Sequence, residues 1–113
     1  MKRASKFGNV KTVVDGIEFS SKKEARRYGE LQLLQRAGAI SGLRVQPRYP
    51  LRVGEDLVCT YVADFAYHDL SVVEGDLFET VEDVKSEITR KHPVYRIKNK
   101  LFKAVMGFEI TEV

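Results

Sequence analysis

The period of the hydrophobic pattern switches along this chain between two and about 3.6 residues, and each switch marks an element. Val13-Val14-Asp15-Gly16-Ile17-Glu18-Phe19 sets Asp-Gly between alternating apolar positions, which predicts a small hairpin. A helix then opens at Ser20 or Ser21 and continues to about Ala37, where Gly38 stops it. Ser21 followed by Glu24 fits a capping box. Glu24, Tyr28, Leu31 and Gln35 share one helical line, with Ala25 and Leu34 close to it, so Glu24 begins the stripe that faces a sheet.

After the turn at 39–42, residues 43–53 alternate as a strand, and Pro47 and Pro50 make it an edge or a bulged one. Past the turn Gly54-Glu55-Asp56, residues 57–67 form the strongest strand pattern, apolar enough to predict burial on both faces. Asp64 interrupts it. A polar connection, 68–76, leads to a third strand at 77–85, followed by a basic loop from Ser86 to His92. Pro93 opens a second helix that runs to Met106, with Val94, Ile97, Leu101 and Val105 as its core stripe. Gly107 ends it, and 108–113 alternate as a last strand. The predicted order is helix, three strands, helix, strand, behind a small hairpin.

Size changes this picture little: 113 residues suit one domain with a two-layer core. Residues 1–11 are a basic flexible tail in this reading, with Lys2, Arg3, Lys6 and Lys11. No run of about 18 apolar residues predicts a membrane span, and the tail lacks the apolar segment of a signal peptide. These features point to the cytoplasm. Cys59 has no internal partner for a disulfide and sits in an apolar strand pattern, which makes it a small core residue rather than a nucleophile.

Charge changes it more. Nine acids and no Lys or Arg lie between Val53 and Val84, so all 19 basic residues lie outside that window with the other seven acids. Basic segments around an acidic centre are what a metal site facing a polyanion needs. Glu55, Asp56, Asp69, Glu74 and Asp76 need no such explanation, since acids commonly decorate exposed turns.

The candidate chemistry begins at Asp83 and Lys85. Two apart on a strand, they leave the same face, where a carboxylate can hold a hard cation and an ammonium can sit beside an attacking water. An isolated Asp-x-Lys is more often a solvated edge or a cross-strand ion pair. Asp64 needs a partner in its apolar strand. A hairpin would bring it beside Asp83 or Lys85, either in a metal site or as a structural Asp64–Lys85 ion pair. For Glu24 two roles stand, a capping carboxylate or a metal ligand at the helix start. Glu82 points away from Asp83 by strand parity and is left out. Gln46 is a polar strand residue near the centre. His68 and His92 lack a second ligand at zinc spacing. Tyr61, Tyr67 and Tyr95 suit core packing with a wet hydroxyl, or stacking on a splayed base.

Glu24 at a helix start, Asp64 in the second main strand and Asp83-x-Lys85 in the third resemble the PD-(D/E)XK nuclease superfamily, from about Phe19 onward. Within it the chain looks most like small phage-encoded endonucleases related to Holliday-junction resolvases. One position departs: Ala63 stands where the family pattern has Pro. The resemblance implies a restriction-endonuclease-like α/β fold, an α-β-β-β-α-β core whose mixed sheet is flanked by helices. It implies Mg²⁺ or Mn²⁺ held by Asp64, Asp83 and the backbone carbonyl of Val84, with Glu24 as an accessory ligand and Lys85 positioning the attacking water. It further implies endonucleolytic hydrolysis of DNA to 5′-phosphate and 3′-hydroxyl ends, in a bacterial host cell, possible roles being phage recombination or packaging on branched or junction DNA. Lys22, Lys23, Arg26, Arg90, Lys91, Arg96, Lys98 and Lys100 are the candidate phosphate contacts, and a homodimer would supply two sites for two strands. The competing class is a non-catalytic nucleic-acid-binding module on the same fold, with an RNA nuclease as a third option.

Overall fold

The computed structural model describes residues 11–71 and 79–113. The basic tail, apart from Lys11, therefore lies outside the described residues, as do 72–78 of the connection and the third predicted strand. The hairpin forms as expected: β1 (Thr12–Val14) pairs antiparallel with β2 (Ile17–Phe19). Asp15 and Gly16 both take left-handed φ, 52° and 76°, as a type I′ turn requires.

Helix α1 (Lys22–Arg36) starts where Ser21 Oγ accepts from the Glu24 amide at 3.1 Å. The capping box is only half formed, because the Glu24 carboxylate reaches one residue further back. It accepts from Ser20 Oγ at 2.6 Å and Ser20 N–H at 3.2 Å. Ser21→Ala is expected to lower stability by about 1 kcal/mol, measured by urea unfolding, because one orphan amide loses its acceptor. Glu24, Tyr28 and Leu31 are buried as the stripe predicts. Leu34 and Gln35, expected near it, are exposed. Gln35 still contributes, accepting from the Leu43 amide at 2.9 Å.

Two predicted strands each become two. Residues 43–53 divide into β3 (Ile40–Val45) and β4 (Arg48–Val53), and 57–67 into β5 (Asp56–Val62) and β6 (Phe65–Asp69). The breaks face each other: Gln46 N–H donates to the Asp64 carbonyl at 2.9 Å and Ala63 N–H to the Pro47 carbonyl at 3.1 Å. Pro47 cannot donate to a ladder, and Gln46 takes a left-handed φ of 54°. The paired ribbon bends there as a unit. Its far half, β4–β5, leaves the main sheet as a separate hairpin.

The main sheet has the order β3-β6-β7-β8, with β7 at Thr80–Asp83 and β8 at Thr111–Glu112. β6 pairs antiparallel with β3 and with β7, and β8 lies parallel to β7. A parallel neighbour needs a crossover, and α3 (Pro93–Met106) supplies it. The expected loop at 86–92 contains a short helix, α2 (Glu87–Lys91). Thr89 completes its capping box with Ser86, so a search for Glu or Gln at that position misses it. The strand expected to reach Lys85 ends at Asp83, and the one expected at 108–113 shrinks to two residues.

One face of the sheet packs Phe65 and Tyr67 against Phe19, Tyr28 and Leu31. The other packs Ala66 and Val81 against Phe102 and the β4–β5 residues Tyr49, Leu51 and Tyr61. Phe102 anchors that side, with its ring 5.4 Å from Tyr49 and 5.3 Å from Phe108, edge-on to both. Of the expected α3 stripe, Leu101 and Val105 pack on the core together with Tyr95 and Met106, while Val94 and Ile97, in the first turns, are 54% and 67% exposed. Burial on both faces holds for β6, where Phe65, Ala66 and Tyr67 are all buried, and fails for β5, where Leu57, Val58 and Val62 are exposed and only Tyr61 is buried. The result is a mixed α/β fold, a mixed sheet flanked by helices behind an N-terminal hairpin. Counting each bent ribbon strand once and setting aside the single-turn α2, it runs α-β-β-β-α-β after the hairpin. No described helix is long and apolar enough to cross a membrane.

Candidate functional site

The ribbon break and the end of β7 bring Asp64 and Asp83 together. Phe65 faces Glu82 in the β6–β7 register, so Asp64, one residue earlier, stands beside Asp83. Each acid grips the other's strand. Asp83 Oδ1 accepts from the Asp64 amide at 3.0 Å, and Asp64 Oδ2 accepts from the Val84 amide at 2.7 Å. Two carboxylates locked through each other's backbone hold a fixed spacing, which a site on flexible side chains would lack.

Asp83 is buried, 1% exposed. Its other oxygen accepts from the Tyr61 hydroxyl and lies 3.9 Å from Lys85 Nζ. Lys85 Nζ in turn sits 4.6 Å from the centre of the Tyr95 ring, and the Lys85 carbonyl accepts from Lys23 Nζ at 3.0 Å. Among the described residues the ion pair that forms is Asp83–Lys85 rather than Asp64–Lys85. Glu24 completes the group from the start of α1. Its carboxyl lies within hydrogen-bonding reach of Asp64, and its charge also acts on Asp83.

Electrostatics follows from that crowding. Burial, reinforced by the nearby Glu24 charge, pushes the Asp64 carboxyl up to about 7, although the Val84 amide and Lys85 pull the other way. Burial likewise pushes Asp83 up to about 6 against the opposing pull of Lys85 and the Asp64 amide. Carboxyls raised in the folded chain hold protons there that the unfolded chain has already lost, from their ordinary value of 3.8 upward. The folded state binds more protons across that window, so stability contributed by these groups falls as pH rises from about 4 to about 7 and then levels off. The melting temperature of the metal-free protein is expected to drop between pH 5 and pH 8, and the doubly substituted Asp64→Asn, Asp83→Asn protein to drop less. Equal slopes for the two proteins would contradict the assigned burial.

The opposite side of β7 carries a different cluster. Glu82, left out of the site on parity, is 1% exposed. It accepts two bonds from Arg27, at 2.8 and 2.7 Å, and one from the Tyr67 hydroxyl. Arg27 lies three residues after Glu24, so one helix face delivers both. That helical line could have identified Arg27 in the sequence. The Tyr61 hydroxyl had no such signal, because its meeting with Asp83 depends on the ribbon bend.

The remaining sequence candidates separate. Lys22, Lys23 and Arg26 are exposed at the start of α1, Arg90 and Lys91 end α2, and Arg96 and Lys100 are exposed on α3. Arg90 lies 3.9 Å from Glu112. Lys98 shares a cavity with Lys85. Gln46 turns away, donating through its side chain to the Glu18 carbonyl at 2.9 Å. His92 caps α3, accepting from the Val94 amide at 3.3 Å, and His68 is exposed. All three tyrosines of the sequence reading give their hydroxyls to carboxylates: Tyr61 to Asp83, Tyr67 to Glu82 and Tyr95 to Glu112.

Residues 4–108 match the family described as "Protein of unknown function (DUF1064)". The chain belongs to this family. No curated protein and no solved structure matches it. For this DUF1064 chain, any role for the cluster therefore rests on its chemistry.

That chemistry suits a hard cation, which prefers carboxylate and carbonyl oxygens. Asp64, Asp83 and Glu24 supply three carboxyls whose crowding raises two of them, and a divalent charge would relieve it. Among the described residues, no three acidic, His or Cys side chains are already gathered to hold a metal ion. Both Glu24 carboxylate oxygens also accept from Ser20. Asp64 and Asp83 are the acids whose geometry could hold such an ion, with Glu24 as a third carboxyl whose charge acts on both.

Proposed function

We propose that this DUF1064 chain is a metal-dependent DNA endonuclease of the PD-(D/E)XK type, hydrolysing phosphodiester bonds, with branched or junction DNA as its preferred substrate class. One observation carries the reading: the interlocked carboxylates of Asp64 and Asp83 lie beside Lys85, with Glu24 within reach. Asp64, Asp83 and the Val84 carbonyl would hold Mg²⁺ or Mn²⁺, with Glu24 joining on release from Ser20. When bound, such an ion polarises a phosphoryl oxygen and lowers the pKa of a coordinated water.

The chain's own groups do the rest. The Lys85 ammonium orients the attacking water and offsets charge that builds on the phosphate oxygens. The stacked Tyr95 ring and the Asp83 carboxylate hold that ammonium in place. The Tyr61 hydroxyl fixes the Asp83 rotamer. Basic residues at the start of α1 (Lys22, Lys23, Arg26), at the end of α2 (Arg90, Lys91) and on α3 (Arg96, Lys98, Lys100) give the acidic centre a cationic rim. Such a rim supplies the sequence-independent part of DNA affinity.

A second reading has its own support. No buried side-chain polar atom among the described residues lacks a partner, so the acidic cluster is already satisfied as a structural network, as a non-catalytic nucleic-acid-binding module would require. The two separate on a metal titration followed by thermal melting at pH 8. A cation that binds only the folded site raises the melting temperature as its concentration increases. We expect Mg²⁺ or Mn²⁺ to raise it in the natural sequence and not in Asp64→Asn. An unchanged melting temperature up to millimolar metal would favour the binding module.

A further inference from the structure

Next to Lys85 the surface opens into a cavity of about 330 Å³ between β5, α2 and α3. Lys85 and Lys98 are cations on its wall, Thr60 offers a hydroxyl, and Val62, Val94 and the Tyr95 ring make it apolar. Val62 and Val94 are 46% and 54% exposed, large aliphatic positions left open beside a charged site rather than folded into the core. An ammonium pair and an aromatic-aliphatic wall are the complement of one nucleotide unit, a phosphate joined to a flat apolar base. The volume lies at the low end of small-molecule pockets, about 300 to 1,000 Å³, so it holds a single nucleotide and not a base pair.

Lys85 belongs both to this cavity and to the carboxylate cluster, through its 3.9 Å contact with Asp83. A DNA strand whose phosphate sits at the cluster would thus run directly into the cavity. A base stacked and paired in duplex cannot enter a concave pocket without leaving its stack, which costs a few kcal/mol unless it is already unpaired.

From this juxtaposition we infer that the cavity is a binding site for one unpaired nucleotide adjacent to the scissile phosphate, and that it selects DNA with a single-stranded arm, flap or branch over continuous duplex. The inference rests on the nuclease reading for its link to cleavage, but the pocket itself is tested by binding alone. Val62 and Val94 grip the base, Lys98 takes the neighbouring phosphate, and Lys85 joins the two sites.

The experiment compares the natural sequence with Val94→Trp, which fills the cavity from an exposed helix position, and with Val53→Trp. Val53 is an exposed valine on β4 and is not on the cavity wall. Binding of a labelled deoxythymidine hexamer and of a blunt duplex is measured by fluorescence anisotropy in EDTA. Mg²⁺-dependent cleavage of flapped and blunt duplex is measured alongside. Val94→Trp is expected to weaken hexamer binding by about tenfold, the value of one lost base contact, and to lower the ratio of flap to blunt cleavage by a similar factor. Val53→Trp should change neither. If no substrate is cut yet hexamer binding keeps its dependence on Val94, the pocket stands and the nuclease reading fails. If cutting is Mg²⁺-dependent but Val94→Trp affects hexamer and duplex equally, or the hexamer does not bind, the pocket assignment is overturned.

Discussion

Asp83→Asn is expected to lower Mg²⁺-dependent DNA cleavage by about a thousandfold while making the metal-free protein more stable at pH 8. Loss of activity follows from the donor set. A neutral amide is a weak ligand for a hard cation, and the ion's stabilisation of transition-state charge is worth several kcal/mol. Gain of stability follows from burial. At pH 8 the Asp83 charge is held in a place that pushes its carboxyl up to about 6, so removing the charge recovers on the order of 1 to 3 kcal/mol. The amide keeps an oxygen for the Asp64 N–H. Opposite signs in the two measurements distinguish a strained functional acid from a structural one. A structural acid would lose stability on substitution. Cleavage of labelled DNA and melting in EDTA, on the same preparation, provide both readings.

The second large effect lies on the other face of β7. Arg27→Ala is expected to destabilise the fold by about 3 kcal/mol, because it strands the buried Glu82 carboxylate after removing two charge-assisted hydrogen bonds. Burial of Glu82 at 1% exposure puts the cost near the low end of the range for a broken buried pair, since Arg27 itself is partly open at 24%. For a domain of this size that corresponds to a fall in melting temperature on the order of 10 °C. Replacing both partners with leucine should recover most of the loss, because a buried ion pair often contributes little over apolar packing. Urea unfolding of Arg27→Ala and of the double variant checks this. A single variant as stable as the parent would show that α1 is not fastened to β7 through this pair. Because Glu24 sits on the same helix, that fastening is also what keeps the third carboxyl beside Asp64.

The legible parts of this fold were those written in local patterns. The Asp15-Gly16 turn, the span of α1 from its Ser21 cap, the start of α3 at Pro93 and its end at Gly107 all follow from short-range chemistry. The ribbon bend was not legible. Pro47 warned of an irregularity, but that Gln46 would turn left-handed opposite Asp64 depends on two strands closing on each other. That bend decides which face of β5 is covered and why Tyr61 meets Asp83. The α3 stripe held at Leu101 and Val105 and misled at its start: Val94 and Ile97 look like core by spacing, yet the helix buries Phe102 against Tyr49 of the projecting hairpin and leaves them exposed. At the site, element order brought Asp64 beside Asp83 or Lys85 without deciding between them, and parity sent Glu82 to the far side. Neither could show that the Asp83 carboxylate would accept from the Asp64 amide and the Asp64 carboxylate from the Val84 amide, which is a matter of register.

Cleavage itself tests the central claim most directly. Purified protein is incubated with Mg²⁺ or Mn²⁺ and end-labelled linear, nicked, flapped and four-way DNA, with Asp64→Asn and Asp83→Asn in parallel. The nuclease account predicts metal-dependent cutting, strongest on the flapped or four-way substrates, that disappears in both variants while DNA binding survives. DNA bound tightly but left intact by the natural sequence, with either metal and on every substrate, would contradict it.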